Sequence, residues 1–190
     1  MNNTIIDFRT RPLLFIDLEF SGLDPRIHEI LEVGAIVVDP TTLEIKKEYE
    51  VKTKPLHIEN ADPKALDING YKKEDWENAV EISEALNNLN QIAPNGMIVG
   101  WNVAYDCMFL DMAYRNNNIK PAFDYHKIDI LALGWKYALT HPEIADVKLS
   151  GFCKHFGIDR KNAHTAMADI KATYEVFIRL ISQNQAEKER

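Results

Sequence analysis

Cysteine is scarce in this chain. Cys107 and Cys153 are the only two in 190 residues, and they form neither a CxxC pair nor a zinc-ligand spacing. That excludes a disulfide scaffold and points to a reducing compartment. Glycine and proline number 8 each, too few for a collagen-like or low-complexity chain. No apolar run approaches the ~20 residues of a membrane span. Met1 to Arg11 mixes Asn, Asp and Arg and lacks the apolar stretch of a signal peptide. Positive charge is also short: 22 Lys and Arg stand against 29 Asp and Glu, a net charge of −7. A broad basic surface for gripping a nucleic-acid duplex is therefore not expected. These absences predict a cytoplasmic protein with no membrane partner.

What is present is ordinary for a globular domain: 46% hydrophobic and 27% charged residues. At roughly 150 residues per domain the length gives a single domain, with enough chain to bury about 70% of its unfolded surface. Pro12–Phe20 reads as a strand, and Leu13 to Ile16 are apolar on both faces, so it should be central and buried. Further strands are predicted over Ile30–Asp39 and Ile45–Lys54, the latter an edge, with the three forming a meander. The pattern then alternates. Helices are predicted over Ala79–Ile92, Ala104–Asn116, Ile128–Leu139, Leu149–Phe156 and Thr165–Ser182, with a short buried strand at Gly96–Gly100. Asp129 is a candidate N-cap and Gly157 a helix stop. Residues 184–190 read as a solvated tail. The order implies one α/β domain with a mixed sheet.

Some carboxylates fit a structural role poorly. Asp17 and Glu19 are two apart on a strand, so their side chains share one face at its C-terminal end. Burying two like charges is costly unless they are paired. Divalent cations remove that cost, because hard ions take carboxylate oxygens as ligands, and α/β sheets bind ligands at the carboxyl ends of strands. Taken alone, the pair is equally an exposed strand end. Asp106 follows Gly100–Tyr105, where a buried strand passes into a helix, and could be a first-turn helix acid. Asp169 lies in the last helix, five residues after His164. At about 100° per residue the two do not share a helical face, so His164 is expected in the loop before that helix. His28, His57, His126, His141 and His155 have no ligand spacing and read as structural or surface residues, and Asp24 and Asp129 as turn and cap residues.

FIDLEFSGLDP (Phe15–Pro25), GWNVAYDCMFL (Gly100–Leu110) and AHTAMADIKAT (Ala163–Thr173) stand in order along the chain. Together they resemble the three motifs of the DEDDh 3′–5′ exonucleases, the DnaQ-like superfamily with a ribonuclease H-like fold. The resemblance spans about residues 12–181 and is similar to the exonuclease domain of the DNA polymerase III epsilon subunit, with ribonuclease T and oligoribonuclease as relatives. It implies a single exonuclease domain over residues 1–190, built on a mixed central sheet of about five strands with helices on both faces. It also implies that Asp17, Glu19, Asp106 and Asp169 hold two divalent ions, Mg²⁺ or Mn²⁺, with His164 as general base. Two departures bear on how the terminal nucleotide is held: Trp101-Asn102-Val103 replaces the common His-Asn-Ala, and Tyr105 stands where Phe is usual.

The activity implied is stepwise hydrolysis from the 3′ end of single-stranded nucleic acid, releasing nucleoside 5′-monophosphates. DNA is weakly favoured, because the third-motif region is proofreader-like. The alternative is an RNA-directed enzyme of ribonuclease T or oligoribonuclease type. A non-catalytic nucleic-acid-binding module on the same fold would be expected to have lost a ligand, and all five positions are intact. Candidate substrate contacts are Phe20, Ser21, Gly22, Leu23, Trp101, Asn102 and Tyr105; core packing is the other reading for Phe20 and Leu23, and an equal one for Trp101 and Tyr105. Ala61–Gly70 resembles the family loop that leans over the site, or is a surface turn. Single-stranded DNA or RNA 3′ ends are the expected partners, a DNA polymerase and a second copy of the chain being further candidates.

Overall fold

A computed structural model describes residues 7–160 and 165–188, with the side chains of 183–188 left out. Five strands form one sheet in the order β3-β2-β1-β4-β5. They are β1 (Leu13–Phe20), β2 (Ile30–Val38), β3 (Ile45–Lys52), β4 (Met97–Gly100) and β5 (Lys127–Asp129). β1 pairs antiparallel with β2 and parallel with β4, β2 pairs antiparallel with β3, and β4 pairs parallel with β5. The sheet is therefore mixed, and the expected meander of the first three strands is its antiparallel half.

The helices are α1 (Pro63–Asn69), α2 (Ile82–Ile92), α3 (Ala104–Asn116), α4 (Ile130–Ala138), α5 (Leu149–Phe156) and α6 (Ala166–Lys188). β1 is apolar on both faces because both are covered. Leu14, Ile16 and Leu18 pack with Leu86 and Leu89 of α2 and Phe109 and Leu110 of α3. Leu13 and Phe15 face the other way, toward Phe152 of α5 and Ile170, Val176 and Phe177 of α6. Phe15 meets Tyr174 and Phe177 edge-on at 5.6 and 5.3 Å between ring centroids. This is the ribonuclease H-like arrangement of a mixed sheet with helices on both faces.

The sequence-based boundaries need four corrections. Ile128 and Asp129 were expected to open a helix but belong, with Lys127, to a fifth strand paired with β4, and α4 begins at Ile130 with the Asp129 carboxylate accepting from Leu131 N at 3.0 Å. The segment 79–81 is not helical; Val80 bridges to Thr53, and α2 starts at Ile82. Pro63–Asn69, read as a loop or surface turn, is a short helix capped by the Asp62 side chain. α6 continues past Ser182 to Lys188, through most of the segment expected as a tail. α5 does stop at Gly157, whose φ of +67° is the left-handed conformation that glycine adopts freely. Among the described residues no helix is long and apolar enough to cross a membrane.

Candidate active site

The site grows from the end of β1. The pleat puts Asp17 and Glu19 on the same face as Phe15, the face that α6 crosses. What brings α6 close is Gly34, which lies opposite Asp17 on β2. A Cβ at position 34 would stand 2.5 Å from the backbone carbon of Ala166. The first turn of α6 thus rests directly on the strand. Glu32, the cross-strand neighbour of Glu19, accepts a hydrogen bond at Oε1 from Ala166 N at 2.9 Å. That buried carboxylate satisfies one of the unpaired amides at the helix start. One turn along, Asp169 points back at β1. Carboxylate oxygens of Asp17, Glu19 and Asp169 all lie within 4.8 Å of one another.

Asp106 joins from the other side. β4 stops pairing with β1 at Phe15 and Val99, so β1 outruns it. The amide of Leu18 donates instead to Asp106 Oδ1 at 3.0 Å, which fixes the first turn of α3 beside the gap between Asp17 and Glu19. The tight step from β4 into α3 is held by Asn102, at a φ of +56°, whose amide donates to Asp129 Oδ1 at 2.9 Å. Asp129 therefore caps α4 and ties down the turn that presents Asp106.

The electrostatics are those of crowded, buried acids. Burial, then the charges of Asp106, Glu19 and Asp169, push the Asp17 carboxyl well above its usual range. Burial, followed by the charges of Asp169, Glu32 and Asp106, raises Glu19 to about 8. Burial raises Asp106 to about 7 despite the hydrogen bond from Leu18. Glu32 is raised too, by burial, with the Ala166 amide opposing. Arg160 supplies positive charge here, ion-paired with Asp169. Oxygen-only donors, close together and short of positive charge, match what a hard divalent cation requires.

The remaining sequence candidates divide. His164 lies outside the described residues. Phe20 stacks on Phe109 with centroids 3.9 Å apart and joins the α3-side core. Ser21 is buried in a turn: its hydroxyl accepts from Glu29 N and its carbonyl accepts from Asp62 N, both at 2.8 Å. Gly22 lies under the His28 ring, where a Cβ would stand 2.4 Å from the imidazole. Leu23, 70% exposed, and Tyr105, 41% exposed, are free to meet a ligand. Asn102 is exposed, and it is its backbone N–H that donates to Asp129. Trp101 is half-buried and packs on Phe152 at 5.0 Å, adopting the core reading. The side chain of Asn69 on α1 donates to the carbonyl of Phe20 at 2.8 Å, so α1 is clamped over the end of β1. Sequence reasoning did not single out Glu32, Gly34 or Arg160. A glutamate inside the otherwise apolar ILEVGAIVV run was the one available signal.

Replacing Gly34 with alanine is expected to force α6 off β2, because the obstruction is backbone rather than a flexible side chain. The cost should be roughly 1–3 kcal/mol of stability. A urea midpoint equal to that of the parent protein would show that the two elements are not pressed together.

Comparison with known proteins agrees with this architecture. A family model described as Exonuclease, the RNase T family, matches residues 14–177. DNA polymerase III PolC-type of Thermotoga petrophila is 27% identical over 92% of this chain, which spans only 12% of that protein's length. Ribonuclease T of Shewanella denitrificans is 26% identical, covering 94% of this chain and 84% of that one. The crystal structure of E. coli Exonuclease I with a dT13 oligonucleotide superposes with a TM-score of 0.77 at 22% identity, over 94% of this chain and 42% of the other, a likeness of fold. With a family match across most of its length and the three DEDDh motifs in order, the chain belongs to the RNase T exonuclease family of hydrolytic nucleases.

Proposed function

We propose that the chain, acting as one exonuclease domain, removes nucleotides one at a time from the 3′ end of single-stranded nucleic acid in a reaction dependent on Mg²⁺ or Mn²⁺. The observation that carries this reading is the convergence of the Asp17, Glu19 and Asp169 carboxylates within 4.8 Å, with Asp106 tied alongside. These four residues would hold two divalent ions. Such ions, when bound, supply an activated water and neutralise charge on the leaving oxygen.

The chain's own groups do the rest. Leu23 and Tyr105, both exposed, receive the terminal nucleotide, while Ser21 and the α1 clamp hold the turn that presents Leu23. His164 accepts the proton of the attacking water. Water oxygen bonds to phosphorus, the bond from phosphorus to the 3′-oxygen breaks, and that oxygen takes a proton from solvent water to become the new 3′-hydroxyl, while His164 returns its proton to solvent. The product is a nucleoside 5′-monophosphate.

DNA is the favoured substrate, supported by the similarity to polymerases of PolC type. RNA is the second reading, supported by a ribonuclease T relative of nearly the same extent. A polymerase is the candidate partner under the first, and a second copy of the chain under the second. The test is a 5′-labelled DNA strand, the matched RNA and a dinucleotide, each incubated with Mg²⁺, with Mn²⁺ and with EDTA. We expect a ladder shortening from the 3′ end only with metal, and its loss by two to four orders of magnitude in His164→Ala, on the scale of general-base removal at about 10²–10⁴-fold. Metal-independent cleavage, or an unaffected His164→Ala, would refute the assignment. The order of substrates decides between DNA and RNA.

A further inference from the structure

Arg160 lies between α5 and α6, close to the acids yet used by no step above. Its guanidinium Nη2 is ion-paired with Asp169 Oδ1, and the two side chains are only 19% and 14% exposed. Its charge also acts on Asp17, drawing that carboxyl down against the push of burial and three acids. Among the described residues the buried Nε of Arg160 has no hydrogen-bond partner. The side chain is therefore held by its charge pairing, and its fork is only partly satisfied. An arginine stays protonated under all ordinary conditions, so this positive charge does not titrate away.

We propose that Arg160 is the resident counter-ion of the metal-free site and competes with the divalent cation for Asp169, so that it sets how tightly metal is held. The proposal rests on the metal site argued above. Its logic is mutual exclusion. A guanidinium and a divalent ion gain most from the same carboxylate cluster when the other is absent, and each weakens the other by the same factor. Arg160 thus offsets the charge of Asp169 and Asp17 before metal arrives, and it lowers metal affinity as a direct consequence. Among the described residues Asp169 is its ion-pair partner, so displacement by metal releases it without breaking a second side-chain ion pair.

A purely structural arginine and a competing one give opposite results when removed. The test is Mn²⁺ binding without nucleic acid, followed by electron paramagnetic resonance of the free ion, together with thermal melting in EDTA. Wild type, Arg160→Gln, Arg160→Lys and Asp17→Asn are compared. We expect Arg160→Gln to melt lower in EDTA than wild type while binding Mn²⁺ about tenfold tighter, within the range of ordinary coupling between sites. Arg160→Lys should restore most of both properties. Mn²⁺ affinity that is unchanged or weaker in Arg160→Gln overturns the proposal. Wild type that binds no more Mn²⁺ than Asp17→Asn overturns the metal site itself, so the two failures are distinguishable.

Discussion

Asp17→Asn is expected to abolish turnover and, in EDTA, to make the protein more stable. The side chain keeps its shape and loses its charge. Turnover should fall by about three orders of magnitude or more, since residues that act as one catalytic unit fail together. Stability should move the other way. The Asp17 carboxyl lies against Asp106, Glu19 and Asp169, and burial and those three charges disfavour its charged form more than Arg160 favours it. Removing that charge relieves the strain of like charges in a site built to be neutralised from outside. At this chain length each 1 kcal/mol corresponds to roughly 2–4 °C of melting temperature. A gain of several degrees at pH 8 in EDTA, with activity gone, is the signature of a position retained for chemistry at the cost of folding. Normal activity, or a lower melting point in the variant, would remove Asp17 from the role assigned to it.

The second large effect links metal, pH and stability. Glu19 titrates at about 8 and Asp106 at about 7 in the folded protein, against ordinary values of 4.5 and 3.8. Both are raised, so between the unfolded and folded values the native state binds more protons than the unfolded chain. Stability then falls as pH rises, by up to ~1.4 kcal/mol per pH unit for each group. The penalty is absent below about pH 4, grows through neutrality and is complete above about pH 8. Asp7 and Asp24, lowered to about 2 by their arginine neighbours, titrate below that window and do not mask it. Bound divalent ions take the deprotonated acids as ligands, so metal binding releases protons and its stabilisation grows over the same range. Melting temperatures measured from about pH 5 to pH 9 should therefore fall in EDTA and hold steady in millimolar Mg²⁺, the two curves separating with pH. Parallel curves would show that the acids do not form the metal site.

Much of this was legible before any coordinates. A strand apolar on both faces must lie in the middle of a covered sheet, and β1 does. Asp17 and Glu19 share a face because a strand alternates with period two, whatever surrounds it. Asp129 at a helix start and Gly157 at a helix end are local choices, made by side-chain and backbone hydrogen bonding within a few residues. The three motifs stood in order along the chain, so the family resemblance and the acids that carry it needed no tertiary information.

Other features exist only in three dimensions. β5 has three residues, too few to show a period, and is a strand because β4 lies beside it. Phe20 and Trp101 are candidate substrate contacts by their place in the motifs, yet each already has an aromatic partner from a distant helix. Glu32 reads as one acid in a strand until Ala166, 134 residues away, donates its amide to it. Gly34 reads as a weak strand residue until the backbone of α6 fills the space its Cβ would take. The sequence by itself determined which carboxylates could do chemistry and which face two of them share, because those properties depend on residue type and local periodicity. Only the tertiary structure decided that Asp169 and Asp106 reach them and that Arg160 stands among them, because bringing charges together across the fold depends on how closely a helix can lie on a strand.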